Sequence, residues 1–213
     1  ITSNTAAPGT DVDGVTLRNS TFNDNFLKGI YAESGSNILI EDSTVENSGQ
    51  TGSASPAGID INLKFGNFEN VAITGTTVTG SAGIGIAIKG RNDGPYDPTT
   101  TLQNVEITDS FIVDNNTGVE IGNAVTDASV SDSRITGSNV GLLTYVDDAG
   151  PSSVVNAEDN WWGCAAGPGN PGCASVASDP GTAEPNSSNP LPSPPPAMDT
   201  DRYVAVGGSD AAN

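Results

Sequence analysis

The stretch VTLRNSTF at residues 15–22 decides the fold, because its pattern returns along the chain. Related octapeptides are ILIEDSTV at 38–45, VAITGTTV at 71–78, VEITDSFI at 105–112 and ASVSDSRI at 128–135. A degenerate copy, VNAEDNWW, lies at 155–162. Apolar or small residues hold the first, third and eighth positions, with Trp162 filling the last slot. The sixth position is Ser20, Ser43, Thr76, Ser110, Ser133 and then Asn160. A second pattern follows each of the first five copies: GIYA at 29–32, GIDI at 58–61, GIAI at 85–88, GVEI at 118–121 and GLLT at 141–144. Alternation at period two marks strands with one buried face, and no stretch sustains the 3.6-residue period of a helix.

The unit reads as strand, turn, strand, long turn, recurring at 23, 33, 34, 23 and 27 residues. One unit cannot bury its own apolar face, but stacked units can. Val15, Ile38, Val71, Val105, Ala128 and Val155 then form one internal column. Leu17, Ile40, Ile73, Ile107 and Val130 form a second, and Ile30, Ile59, Ile86, Val119 and Leu142 a third. The Ser/Thr/Asn column falls where the chain turns, placed to cap backbone groups between coils. An antiparallel sandwich would show hairpin dipeptides between neighbouring strands and would not keep positions in this way across six copies. The expected fold is all-β: a right-handed, single-stranded parallel β-helix of about six coils.

Composition agrees. Hydrophobic residues make up 35% and aromatics 5% of 213 residues, too few for one thick globular core, while 26 Gly and 14 Pro supply turns. Asp and Glu total 26 against 7 Lys and Arg, a formal charge of -19. That excess argues against nucleic acid as a partner, since such binding depends on basic residues neutralising phosphates. It fits a solvated surface, a divalent-cation sink or a high-salt habitat. There is no apolar run near the ~20 residues needed to span a bilayer as a helix. The chain opens at Ile1 inside what reads as a strand end, and we take it as a segment of a longer chain.

The only cysteines, Cys164 and Cys173, sit nine positions apart in CAAGPGNPGC. Reduced core residues or half of a metal site are the alternatives, but no His or further Cys completes a zinc shell. A local disulfide is the preferred reading and implies an oxidising compartment. Three Asn-x-Ser/Thr acceptors, Asn19, Asn115 and Asn186, are compatible with export and glycosylation.

The chain resembles the right-handed parallel β-helix repeat proteins of the pectin-lyase-like superfamily over roughly residues 12–165. The resemblance is carried by an N-x-x-I-x-x-S/T-x-V/I pattern at Asn37–Val45, Asn70–Val78 and Asn104–Ile112, and by NWWG at Asn160–Gly163 followed by GPG and Cys. In such proteins that NWWG commonly marks the last coils. The superfamily hosts polysaccharide lyases, hydrolases, epimerases, adhesins and structural proteins, so it implies a fold and not one activity.

The expected organisation is a β-helix over 1–178, a Pro-rich extended linker over 179–200 and a tail strand over 201–213. The tail segment DTDRYVAVGGSDAAN is similar to the entry strand of a following β-helix. Tyr203, Val204, Ala205 and Val206 are therefore expected to pair with a neighbouring module or subunit. Head-to-tail contact of that kind is heterologous and builds filaments.

Insertions break the minimal coil at SGQTGSASP (48–56), KFGNFEN (64–70), KGRNDGPYDPTTTLQN (89–104) and YVDDAGPSS (145–153). The last three are expected along one flank, gathering Lys64, Lys89, Arg91, Asp93, Tyr96, Asp97, Tyr145, Asp147 and Asp148. Aromatic and charged groups on loops suit glycan recognition. A lyase or epimerase needs a base and a cation beside the substrate carboxylate, and a glycosidase needs two spaced carboxylates; no motif singles out either set. Ca²⁺ is an open possibility, with Asp11 and Asp13 as candidate ligands that match no known loop spacing. Two functions remain: an extracellular or cell-surface structural or adhesive module contacting copies of itself end to end, and a carbohydrate-binding or carbohydrate-active β-helix. No enzyme is identified.

Overall fold

The structure, a computed structural model, describes residues 12–50, 55–91, 100–122, 124–146 and 153–196. Its strands stack in three parallel sheets. The first sheet runs β1 (Asp13–Arg18), β4 (Ser36–Glu41), β7 (Asn67–Thr74), β10 (Thr101–Thr108), β13 (Val125–Ser131) and β16 (Val155–Asn156). The second runs β2 (Thr21–Asn23), β5 (Thr44–Glu46), β8 (Thr77–Thr79), β11 (Phe111–Val113) and β14 (Arg134–Thr136). The third runs β3 (Lys28–Ala32), β6 (Ala57–Leu63), β9 (Ile84–Gly90), β12 (Thr117–Ile121), β15 (Val140–Thr144) and β17 (Val176–Ser178). The architecture is a parallel β-solenoid.

The register reproduces the three columns. Val15 pairs with Ile38, Ile38 with Val71, Val71 with Val105, Val105 with Ala128 and Ala128 with Val155. Ile30, Ile59, Ile86, Val119, Leu142 and Val176 align in the third sheet. From Ile38 to Val155 the first column is buried, and its neighbours interdigitate into one continuous core with Trp162, which is wholly buried. Stacking is what removes these side chains from water, since each rung covers the next.

One expectation is corrected. Each unit has three strands rather than two, because the octapeptide itself contributes two, split at its fifth and sixth positions where the chain turns. The fifth residue takes a left-handed backbone conformation at Asn19, Asp42, Gly75, Asp109, Asp132 and Asp159. The sixth then hydrogen-bonds across rungs. The Ser43 hydroxyl oxygen accepts from Ser20 N at 3.2 Å, Ser110 from Thr76 N at 3.3 Å and Ser133 from Ser110 N at 3.0 Å, while Asn160 Oδ1 accepts from Ser133 N at 3.0 Å. Each hydroxyl also donates back to the carbonyl two residues earlier, as Ser110 does to Thr108 at 2.8 Å. These bonds give the corner's backbone groups partners from within the chain.

The corner between the second and third sheets repeats this device, Asn25 N donating to Ser48 Oγ at 3.3 Å and Ser81 N to Asn115 Oδ1 at 3.0 Å, and adds a second one. Gly29, Gly58, Gly85, Gly118 and Gly141 stack there, and a Cβ on Gly118 would lie 2.5 Å from the Gly141 carbonyl oxygen. Close approach, not an unusual φ, requires glycine at this column.

A third ladder opens the first-sheet strands. Asn70 donates its amide to Asn37 Oδ1 at 2.7 Å, Asn104 donates to Asn70 Oδ1 at 2.8 Å, and Asn37 donates to Asp13 Oδ1 at 2.6 Å. These asparagines and Asp127 also have positive φ, which Asn and Asp tolerate best among residues with a side chain. Seven aspartates (24, 42, 109, 114, 127, 132 and 159) hold such left-handed corners at φ 45–57°. Part of the chain's acidity is therefore turn geometry.

The chain continues to stack after Ser178. Asn186 N donates to Val155 O at 2.9 Å, Ala157 N to Asn186 O at 2.7 Å, and Leu191 N to Asn160 O at 2.9 Å. Part of the segment read as a linker thus lies against the last full rung. Cys164 and Cys173 are joined by a disulfide within the Gly/Pro loop, with Cα atoms 5.4 Å apart.

Candidate functional site

Four of the seven basic residues, Lys28, Lys64, Lys89 and Arg91, fall on or beside the third sheet. They do so because the strand alternation turns every second residue outward: Tyr31, Asp60, Ala87 and Glu120 align in one outer row, and Asn62 aligns with Lys89 beside it. The loops at 64–66, 91–100 and 145–154 each connect a third-sheet strand to the next first-sheet strand. Their described ends share one corner of the coil. Their extent is smaller than expected, however, because 67–70 and 101–104 are the opening residues of β7 and β10, and Lys89 and Gly90 close β9. Phe68 accordingly belongs to the core at 3% exposure.

The geometry around Tyr31 is a closed ionic network. Lys28 Nζ pairs with the Asp60 carboxylate, donates to Ser55 O at 3.1 Å and stands 5.1 Å from the Tyr31 ring centroid. Lys64 Nζ pairs with Glu33 and donates to Tyr31 Oη at 3.1 Å, while Tyr31 Oη donates to Glu33 at 2.6 Å. Asp60 and Lys64 are 2% and 8% exposed. Burying such charges is tolerable only when they are paired and hydrogen-bonded.

Proton affinities follow. Burial pushes the Tyr31 phenol up to about 12, helped by its hydrogen bond to Glu33. The hydrogen bonds from Lys64 and Tyr31 hold Glu33 below its ordinary range. Burial raises Asp60, against the opposing pull of Lys28. Burial alone would lower Lys64, but its hydrogen bonds to Glu33 and Tyr31 raise it on balance. At neutral pH Tyr31 is a hydrogen-bond donor and Lys64 a cation. Each of the two lysines is matched by a carboxylate, which offsets part of the cost of burying the charges.

Of the residues singled out in the sequence, Lys64 joins this network and Lys89 stands 5.6 Å from the ring centroid of Tyr145, which is 8% exposed. Arg91 closes the neck of its loop, its N donating to Leu63 O at 2.9 Å and its O accepting from Thr100 N at 3.0 Å. Tyr96, Asp97, Asp147 and Asp148, with Asp93, lie outside the described residues, as do Asp11 and Tyr203, Val204, Ala205 and Val206. Asp13 is exposed and accepts the Asn37 amide; among the described residues no group of three His, Cys, Asp or Glu is placed to hold a metal ion. Asn19 and Asn186 are exposed. Asn115 is buried, its Nδ2 donating to Val78 O at 3.0 Å, a state inaccessible to a glycosylating enzyme in the folded chain.

Sequence reading missed Lys28, Tyr31, Glu33 and Asp60. A signal existed in Asp60, a charge inside the otherwise apolar AGIDINL strand, whose seven residues are all buried. Such a charge calls for a partner on the adjacent strand.

No helix among the described residues is long and apolar enough to cross a membrane. No protein-family model matches the chain, and neither a curated protein nor a solved structure shows significant similarity to it.

Proposed function

We propose that this chain is an extracellular or cell-surface structural or adhesive module: a right-handed parallel β-helix of six coils, of the pectin-lyase-like kind, serving as one unit of a tandem array or head-to-tail filament. The supporting observation is the ionic network itself. Lys28 and Lys64, half of the basic residues on or beside the third sheet, are matched internally by Asp60 and Glu33. The elaborated chemistry thus serves the stack. The disulfide supports an oxidising compartment.

A second reading, glycan binding through the flank at 64–66, 91–100 and 145–154, draws on Lys89 over the Tyr145 ring and on the two lysines beside Tyr31. Aromatic rings with adjacent polar groups are the usual means of holding sugars. Ca²⁺ would be its accompanying ion.

One experiment separates the two. Purified chain is imaged for rods and end-to-end assemblies, and the same preparation is screened against neutral and acidic glycans with and without Ca²⁺. The module reading expects assemblies and no glycan response. Saturable glycan binding or cleavage that Lys89→Ala abolishes would overturn it in favour of the second.

A further inference from the structure

Among the described residues, the C-terminal end of the stack is occupied by prolines at positions where the rungs below use their backbone to hold the next rung. In the last full rung, the buried residues Val155 and Ala157 direct O and N toward Asn186. Asn186, on the outer face, directs both of its groups back. Backbone groups alternate along a strand, so Pro185 and Ser187 point theirs away from the solenoid. Pro185 is buried and aligns with Val155, which makes it the last member of the column Val15, Ile38, Val71, Val105, Ala128, Val155. It fills a core position while having no N–H to offer.

The corner ends the same way. Trp161 N donates to Ser133 O at 2.8 Å, and Leu191 N donates to Asn160 O at 2.9 Å in the equivalent bond one rung on. Pro190 therefore stands in the Ser/Thr/Asn column. In the rungs below, the N–H at this position needs a side-chain oxygen from the following rung: Ser20 N uses Ser43, Ser110 N uses Ser133, and Ser133 N uses Asn160. Pro190 carries no such donor and asks for no following rung. Proline at a sheet edge removes the donors through which another strand would add.

We propose that residues 185–190 form a proline cap that closes the C-terminal end of the solenoid to strand addition by a second copy of the chain. This goes beyond the module reading, because it specifies that units do not join by continuing the sheets past this rung. Head-to-tail contact between units then runs through the connecting chain or through side chains, not through backbone pairing at this end.

The test restores the donors with residues the columns themselves use, in the full chain: Pro185→Val and Pro190→Ser, together and singly. Mass distribution is followed over a hundredfold range of concentration, with circular dichroism to verify the fold. The double variant is expected to associate at least tenfold more tightly than wild type, and Pro190→Ser alone by a smaller factor. A folded double variant with the wild-type mass distribution would overturn the cap. Hydrogen exchange on the wild-type chain reads the same proposal without any substitution. The Asn186 and Leu191 amides should be protected and the Ser187 amide should not be; protection of Ser187 equal to that of Asn186 would overturn the proposal. Whether the wild-type chain itself forms arrays bears only on the module reading, so the two can fail separately.

Discussion

The two corners that flank the second sheet share one device, and the second of them adds another. At the corner between the first and second sheets, atoms are added. Ser43, Ser110, Ser133 and Asn160 supply oxygens that satisfy backbone groups between rungs. At the corner between the second and third sheets, Ser48 and Asn115 do the same for Asn25 N and Ser81 N, but atoms are also removed, and Gly29 to Gly141 let carbonyls pass within van der Waals reach of the bare Cα. The difference teaches that a repeat column can encode either a bond or a space. Space is the less forgiving of the two, because a lost hydrogen bond costs its own energy, whereas an added atom displaces backbone on two rungs at once.

The largest effect should therefore come from filling the space. Gly118→Ala puts a Cβ 2.5 Å from Gly141 O and 3.2 Å from Ile135 Cγ2. We expect a loss of about 3–5 kcal/mol, at the severe end for a point substitution, or failure to fold. A urea midpoint by circular dichroism within about 1 kcal/mol of wild type would break the comparison.

Removing a bond should cost less. Ser110→Ala deletes the donor to Thr108 O and leaves Thr76 N, at a buried position, without its acceptor. The expected loss is about 1–3 kcal/mol by the same measurement. Ser110→Thr, which keeps the hydroxyl as Thr76 does naturally, should cost clearly less than Ser110→Ala. Equal losses would show that packing rather than hydrogen bonding governs this corner.

The outer face offers a pH-dependent test. Glu33 is held below its ordinary range by Lys64 and Tyr31, so the folded state binds its proton more weakly than the unfolded state. Its contribution is present above the unfolded-state value and is lost as pH falls through the folded-state value. Glu33→Gln should thus destabilise the chain at neutral pH and converge with wild type as pH falls through the folded-state value of Glu33. A gap that stays constant through that fall would mean the Glu33 carboxylate contributes nothing through its charge.

The smallest effect is expected where the geometry needs a residue class rather than a charge. Asp109 holds φ 49° at its corner, and Asn19 holds φ 48° at the equivalent one. Asp109→Asn should stay within about 0.5 kcal/mol, while Asp109→Val, a β-branched residue that avoids this region, should cost clearly more. Thermal melts of the pair decide whether the aspartates are retained for backbone shape or for their charge.

The columns were legible because stacking makes each position face its own copies, so Ile40, Ile73 and Ile107 repeat the same demand. The ionic network was only partly legible. Lys64 stood out on an insertion, but Glu33 and Tyr31 become its partners solely through the pairing of β3 with β6. The loop boundaries at 64–70 and 89–104 were read too wide because Asn67–Asn70 and Thr101–Asn104 are polar at their exposed positions. Their strand character comes from pairing with each other across rungs, Thr101 with Asn67 and Leu102 with Phe68.

What the amino-acid order determined by itself was the period, the apolar columns and the turning role of the Ser/Thr/Asn position, because each depends on identity at a fixed spacing. What only the tertiary structure decided was the splitting of the octapeptide into two strands, the need for glycine at Gly29 through Gly141, and the matching of Lys28 with Asp60. It also decided the placement of Pro185 and Pro190 beyond Val155 and Asn160. These depend on distances between rungs 23 to 34 residues apart, which no local pattern specifies and which only the stacked backbone brings together.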